Sequence, residues 1–190
     1  MTTQSAGELV LLGGPPGAGK STIAEILATT APRATVHLHT DSFYVWIRAG
    51  FVPPYLPAAG KQNEVVTAVL VAAACEYACG GYDVIADGVL GPWMLEPFQT
   101  ACKKQDITLS YAVLRPSLDV TLARATAREG RQLTEVEPIV GLYGAFRDLG
   151  RLEGHVLDSD GQSAEQTAAS LFSGLTDRRY VLPIAPAEGG

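Results

Sequence analysis

Cysteine and histidine are scarce in this chain, three of each in 190 residues. Cys75, Cys79 and Cys102 are too few for a disulfide framework. Cys75 and Cys79 share a helical face four residues apart, yet no second cysteine pair or histidine pair completes a zinc set. They read as buried, inert thiols. His37, His39 and His155 fall in or beside strands without ligand spacing, so no metal site is expected among them. Basic charge is also short: 14 Lys and Arg against 20 Asp and Glu give a formal net charge of -6. That is the reverse of the footprint a long nucleic acid requires, although a nucleotide-sized ligand stays open. No stretch reaches the roughly 18 apolar residues of a membrane-spanning helix. Met1 to Glu8 has no basic segment ahead of a hydrophobic one. A cytoplasmic protein without a membrane partner is the expectation.

What the chain does have is glycine, and its most informative use is Gly14-Pro15-Pro16-Gly17-Ala18-Gly19-Lys20-Ser21-Thr22. The apolar run Leu9 to Leu12 precedes it and the helix-like Ile23 to Ala28 follows. A strand that fixes the loop, glycines that let the backbone approach an anion, and a helix whose free N–H groups face it together make a phosphate-binding loop. Gly14 through Thr22 are therefore the expected nucleotide-binding residues, with Thr22 also packing the helix start. Lys20 is expected to reach the β and γ phosphates, and the Ser21 hydroxyl to ligate Mg²⁺.

Strands and helices alternate along the rest of the chain. Strands are expected near residues 9–13, 36–40, 82–86, 107–114 and 155–158, with helices over 20–30, 61–79, 91–102, 116–128, 135–149 and 164–175. This pattern predicts an α/β fold, a three-layer α/β/α arrangement around a five-stranded parallel sheet. One domain spans 1–190, with a lid and its following helix over 120–150 and a flexible tail over 179–190.

Two carboxylates close strands at the edge where parallel sheets bind ligands: Asp41 after the second and Asp87 after the third. Asp87 is suited to hold the magnesium water shell or to orient a bound group, and Asp41 to accept an acceptor's hydroxyl proton. Arg124, Arg128 and Arg131 form the densest basic cluster. They read either as a lid closing over a transferring phosphoryl group or as a solvated face partnered by Glu129. Directly after Asp41 the chain turns aromatic and proline-rich. Phe43, Tyr44, Trp46 and Tyr55 read as a substrate-pocket wall or as structural packing, with Arg48 and Lys61 available to an anionic acceptor.

The phosphate loop, the Asp41-Ser42 pair, the strand leading to Asp87, and Leu114-Arg115 followed by the arginine cluster resemble small P-loop kinases. The resemblance is to the nucleoside-monophosphate-kinase-like superfamily, nearest to its chloramphenicol phosphotransferase-like group. It covers Leu9 to Leu175 and implies ATP-dependent transfer to a small-molecule hydroxyl, with Asp41 as the base and ATP and Mg²⁺ as cofactors. Gly88 stands where the antibiotic kinase has a second acidic residue, and the segment from Trp46 to Pro57 has no close match there. The acceptor is expected to be an antibiotic or a nucleoside-like compound. A metabolite, nucleoside or nucleotide kinase and a non-catalytic nucleotide-binding regulator are the alternatives, and either a monomer or a homodimer is compatible with the acidic surface.

Overall fold

A computed structural model describes residues 5–127 and 133–183. β1 (Leu9–Gly13) is buried at all five positions, as befits an unbroken apolar run at the centre of a parallel sheet. It pairs in parallel with β3 (Asp83–Asp87) on one side and β4 (Leu109–Leu114) on the other. β2 (Thr35–His39) flanks β3 and β5 (Val156–Leu157) flanks β4, giving the order β2-β3-β1-β4-β5. The five-stranded parallel sheet expected from the sequence is the one observed.

Alternation along β1 divides the core. Leu9 and Leu11 face α3 (Gly60–Cys79) and α4 (Leu95–Gln105), where Leu70, Ala74 and Phe98 meet them. Val10 and Leu12 face α1 (Lys20–Thr30) and α7 (Ala164–Thr176), against Ile23, Leu27 and Leu171. These are the three layers. α1 stops at Ala31, whose extended backbone is what Pro32 imposes on its predecessor. α7 starts on a capping box in which Ser163 and Gln166 satisfy each other's backbone N–H groups.

Several boundaries differ from expectation: α4 follows a 3-10 turn over Pro92–Met94, so it starts at Leu95 and runs to Gln105, where 91–102 was expected. α5 (Leu118–Thr126) is capped by the Ser117 hydroxyl, which accepts from Val120 N, so Pro116 precedes the helix and lies outside its first turn. α6 (Val136–Ala145) ends near Gly144, and Gly150 to His155 form a separate 3-10 turn. β5 is only two residues long because Tyr180 to Leu182 occupy the edge of β4 that it would otherwise extend along. Tyr111 N donates to Tyr180 O at 2.8 Å and Leu182 N to Leu109 O at 2.9 Å. The tail expected from Arg179 is thus built into the fold through Leu182, with Tyr180 and Leu182 both buried. No helix among the described residues is long and apolar enough to cross a membrane.

Candidate active site at the carboxyl edge of the sheet

The loop between β1 and α1 is buried from Gly14 to Ala18. Gly17 has φ +88°, and a Cβ there would meet Thr121 O at 2.3 Å, so both backbone conformation and space exclude a side chain. Gly19, at φ +91°, caps α1 without a side-chain bond, leaving the first-turn N–H groups of the helix available to an anion. The Lys20 side chain is buried and its Nζ donates to Pro15 O at 2.8 Å, spanning the loop that the sequence assigns to phosphates.

Ser21 follows at the mouth of the loop, where its hydroxyl donates to Asp87 Oδ2 at 2.5 Å. The other oxygen of Asp87 lies 2.9 Å from His37 Nε2 and 3.2 Å from His39 Nδ1. Burial alone would raise the Asp87 pKa, but bonds from His37 and Ser21 and the charges of the two histidines outweigh it and hold the carboxyl below its ordinary value. His37 shows the complementary balance: burial opposes its charge, yet bonds to Asp87 and Glu25 raise its pKa. Its Nδ1 faces Glu25 Oε2 at 2.8 Å.

β2 and β3 align His39 with Asp87, and the next residue, Thr40, donates its hydroxyl to the Asp87 carbonyl at 2.9 Å. This register delivers Asp41, in the first turn of the short helix α2 (Thr40–Val45), to the same edge. Beside it, burial and then the charge of Asp41 raise the Tyr44 pKa. Gly88 has its own reason to be glycine, since a Cβ there would stand 1.9 Å from Thr40 Oγ1. A second acidic residue at that position is therefore sterically incompatible with the Thr40 bond.

On the other side of the loop a cleft of about 180 Å³ is lined by Gly19, Thr22, Arg124, Ser159, Gln162 and Thr167, among others. Ser159 is 3% exposed and its Oγ has no hydrogen-bond partner, an orphan donor and acceptor beside this cleft. Ser159, Gln162 and Ser163, from the polar turn after β5, form part of this cleft's wall. Arg124 reaches this cleft from α5 and stands over Gly19. Arg128 and Arg131, the rest of the expected lid, lie outside the described residues.

The aromatic stretch is ordered onto the start of α3. Gln62 clamps Val52 with both amide atoms, at 2.7 and 2.9 Å, and Asn63 Nδ2 donates to Pro54 O at 2.8 Å. Phe43 and Trp46 pack with ring centroids 4.7 Å apart; Trp46 is largely exposed, and Phe51, Tyr55 and Leu56 are partly so. Phe43, Tyr44 and Ile47 also rest on the core, so part of the stretch is structural packing. Arg48 is exposed. Lys61 extends into solvent from α3 and pairs with Glu64 at 3.2 Å in the same helical turn, so its basic head is engaged locally.

The sequence reading missed His37 and His39. Their signal was the two-residue interval, which on a strand puts both rings on one face. It also missed Ser159 and Thr121, whose buried, unpartnered hydroxyls are visible only in three dimensions.

The sequence matches AAA_33, an AAA domain, over residues 9–138. The chain belongs to this family. The matched stretch takes in the phosphate loop, Asp41, Asp87 and Arg124 and ends within α6. No curated protein matches significantly. Among solved structures, the tunicamycin resistance protein of Deinococcus radiodurans superposes with TM-score 0.62 at 18% identity, covering 93% of this chain and 99% of that one. A sugar kinase from Janibacter sp. HTCC2649 gives TM-score 0.63 at 20% identity, with 95% and 97% covered. The Mycobacterium tuberculosis APS kinase, in complex with AMPPNP and APS, gives 0.63 at 18%, with 90% and 99% covered. The chain therefore shares the fold of these kinases and of the resistance protein.

Proposed function

We propose that this protein is an ATP-dependent phosphotransferase that moves the γ-phosphoryl group to a hydroxyl of a flat, largely uncharged small molecule. The observation that carries the reading is the run of contacts from Ser21 to Asp87 to Thr40, which sets Asp41 on the same sheet edge as the phosphate loop. Lys20 would hold the β and γ phosphates, and Arg124, with Arg128 and Arg131, would neutralise charge on the transferring group. Asp41 would orient the attacking hydroxyl and accept its proton. The orphan hydroxyl of Ser159 supports a nucleoside in the neighbouring cleft, and the AMPPNP bound to the similar APS kinase agrees with ATP as donor.

Magnesium fits the residues present, because a hydroxyl beside an ionised, buried carboxylate is an all-oxygen pair of the kind that hard cations take. Ser21 would ligate it and Asp87 would hold it directly or through its water shell. When bound, the ion neutralises charge shared by the β and γ phosphates. Phe43, Tyr44, Trp46 and Tyr55 supply the acceptor wall, which favours an aromatic or nucleoside-like compound, an antibiotic included, over a sugar acid held by fixed charges.

The test is the ATP-dependent mass gain of hydroxylated antibiotics, nucleosides and sugar acids, with Lys20→Ala as the control. A gain of about 80 Da, one HPO₃ unit, on a flat acceptor supports the proposal. A gain confined to sugar acids would move the protein to metabolite phosphorylation and reduce the aromatic wall to packing. Saturable ATP binding without acceptor-dependent ADP release would leave a nucleotide-binding regulator.

A further inference from the structure

Glu25, His37 and His39 project from α1 and β2 into one cluster in which a ligand atom of each lies within 4.8 Å of the others. We propose that these three side chains form a second cation site, for a transition metal of the zinc class, distinct from the magnesium position at Ser21. The inference goes beyond phosphotransfer and does not depend on it.

The donor set is the first argument. Two imidazoles and a carboxylate suit zinc-like metals, whereas magnesium selects oxygen and water. The surrounding bonds are the second. Asp87 Oδ1 lies 2.9 Å from His37 Nε2, which keeps the proton on that nitrogen and leaves Nδ1 turned to Glu25 Oε2 at 2.8 Å. A carboxylate that fixes the far nitrogen of a ligating histidine is the usual support of a zinc ligand. Without metal, a proton on Nδ1 bridges the ring to Glu25, and a bound metal would take that proton's place.

Access is the third argument. His37 is 7% exposed and anchored, but the side chains of Glu25 and His39 are 60% and 50% exposed, so an ion can enter and solvent can supply the remaining ligand. Tetrahedral ligands about 2.0–2.1 Å from zinc sit about 3.4 Å apart, so ligand atoms already within 4.8 Å of one another lie close to the spacing an ion would need. Because Asp87 bonds both His37 and Ser21, the cluster adjoins the nucleotide site through one carboxylate.

The test uses the full chain without nucleotide, in excess Mg²⁺, titrated with Co²⁺ and followed by its visible absorption, with Zn²⁺ as competitor. Uptake of one equivalent is expected, displaced by Zn²⁺. Glu25→Gln and His39→Ala should each weaken it by about tenfold or more, the scale on which even supporting residues of metal sites act. Both positions are exposed, and unchanged circular dichroism would show that the variants fold. Cys79→Ser, at the exposed thiol, should leave uptake unchanged. The proposal is overturned by absence of stoichiometric uptake, by uptake indifferent to both variants, or by a thiolate charge-transfer band that disappears in Cys79→Ser. None of these results bears on the phosphotransfer assay.

Discussion

The Ser21 hydroxyl donates to Asp87 Oδ2 at 2.5 Å, joining the end of the phosphate loop to the end of β3 across 66 positions of sequence. The bond holds two oxygens side by side at the position proposed for the metal. Ser21→Ala should lower turnover by about 10²–10³, the scale of losing one preorganised electrostatic contact, and should raise the Mg²⁺ concentration needed for half-maximal rate. Magnesium titrations of ADP release check this. An unchanged magnesium dependence would remove Ser21 from the metal site.

Asp41→Asn keeps the size of the side chain and removes its capacity to accept a proton. Turnover should fall by about 10²–10⁴ while the dissociation constant for ATP stays near that of the parent. Calorimetric ATP binding set against the rate of transfer separates the two effects. Transfer at nearly the normal rate would disqualify Asp41 as the base.

Gly88→Ala should destabilise the protein by about 1–3 kcal/mol, because the new methyl group would overlap Thr40 Oγ1. Removing that oxygen should relieve part of the cost. Thr40→Ala in the Gly88→Ala background should therefore be less harmful than Thr40→Ala alone, where a bond to the Asp87 carbonyl is simply lost. A double-mutant cycle by urea denaturation measures the coupling. Strict additivity would contradict the clash.

How much of this was legible in the chain depended on whether a feature is local. The phosphate loop was readable residue by residue because spacing and backbone requirement coincide in it, and the edge position of Asp41 and Asp87 followed from where apolar runs end. The shortening of β5 was not readable. It depends on residues 180–182 competing for the edge of β4, a contact about 70 positions distant that leaves no periodic trace. The shared face of His37 and His39 follows from their two-residue interval on a strand, but Glu25, which completes the cluster, comes from α1 and leaves no spacing signal. Gln62 and Asn63 carry no local signal of their contacts, and only the fold reveals that they hold the proline-rich loop.

Trp46 is exposed yet packed against Phe43 at 4.7 Å, which leaves its indole surface available to an acceptor. Trp46→Ala should raise the acceptor KM by about 2- to 10-fold, equivalent to one lost aromatic contact, and leave the KM for ATP unchanged. Steady-state kinetics with the acceptor that gains mass are the measurement. An equal effect on both KM values would show a general disturbance of the loop and count against a wall role.

Arg115 and Glu153 form a bidentate pair, at 2.9 and 2.7 Å, that ties the end of β4 to the turn before β5. The guanidinium bonds, together with the Leu149 N–H, lower the Glu153 pKa from 4.5 to about 2. A carboxyl whose folded pKa lies below its unfolded value binds more protons when unfolded, so it adds stability above the unfolded pKa and loses it as pH falls through the folded one. The parent should melt above Glu153→Gln at neutral pH, and the gap should narrow from about pH 4.5 downward and close near about pH 2. Arg115→Gln should flatten this dependence, because Glu153 would then keep only its bond from Leu149. Thermal unfolding by circular dichroism across that range is the check, and a gap that persists undiminished at the acid end would show that the pair's ionisation does not stabilise this junction.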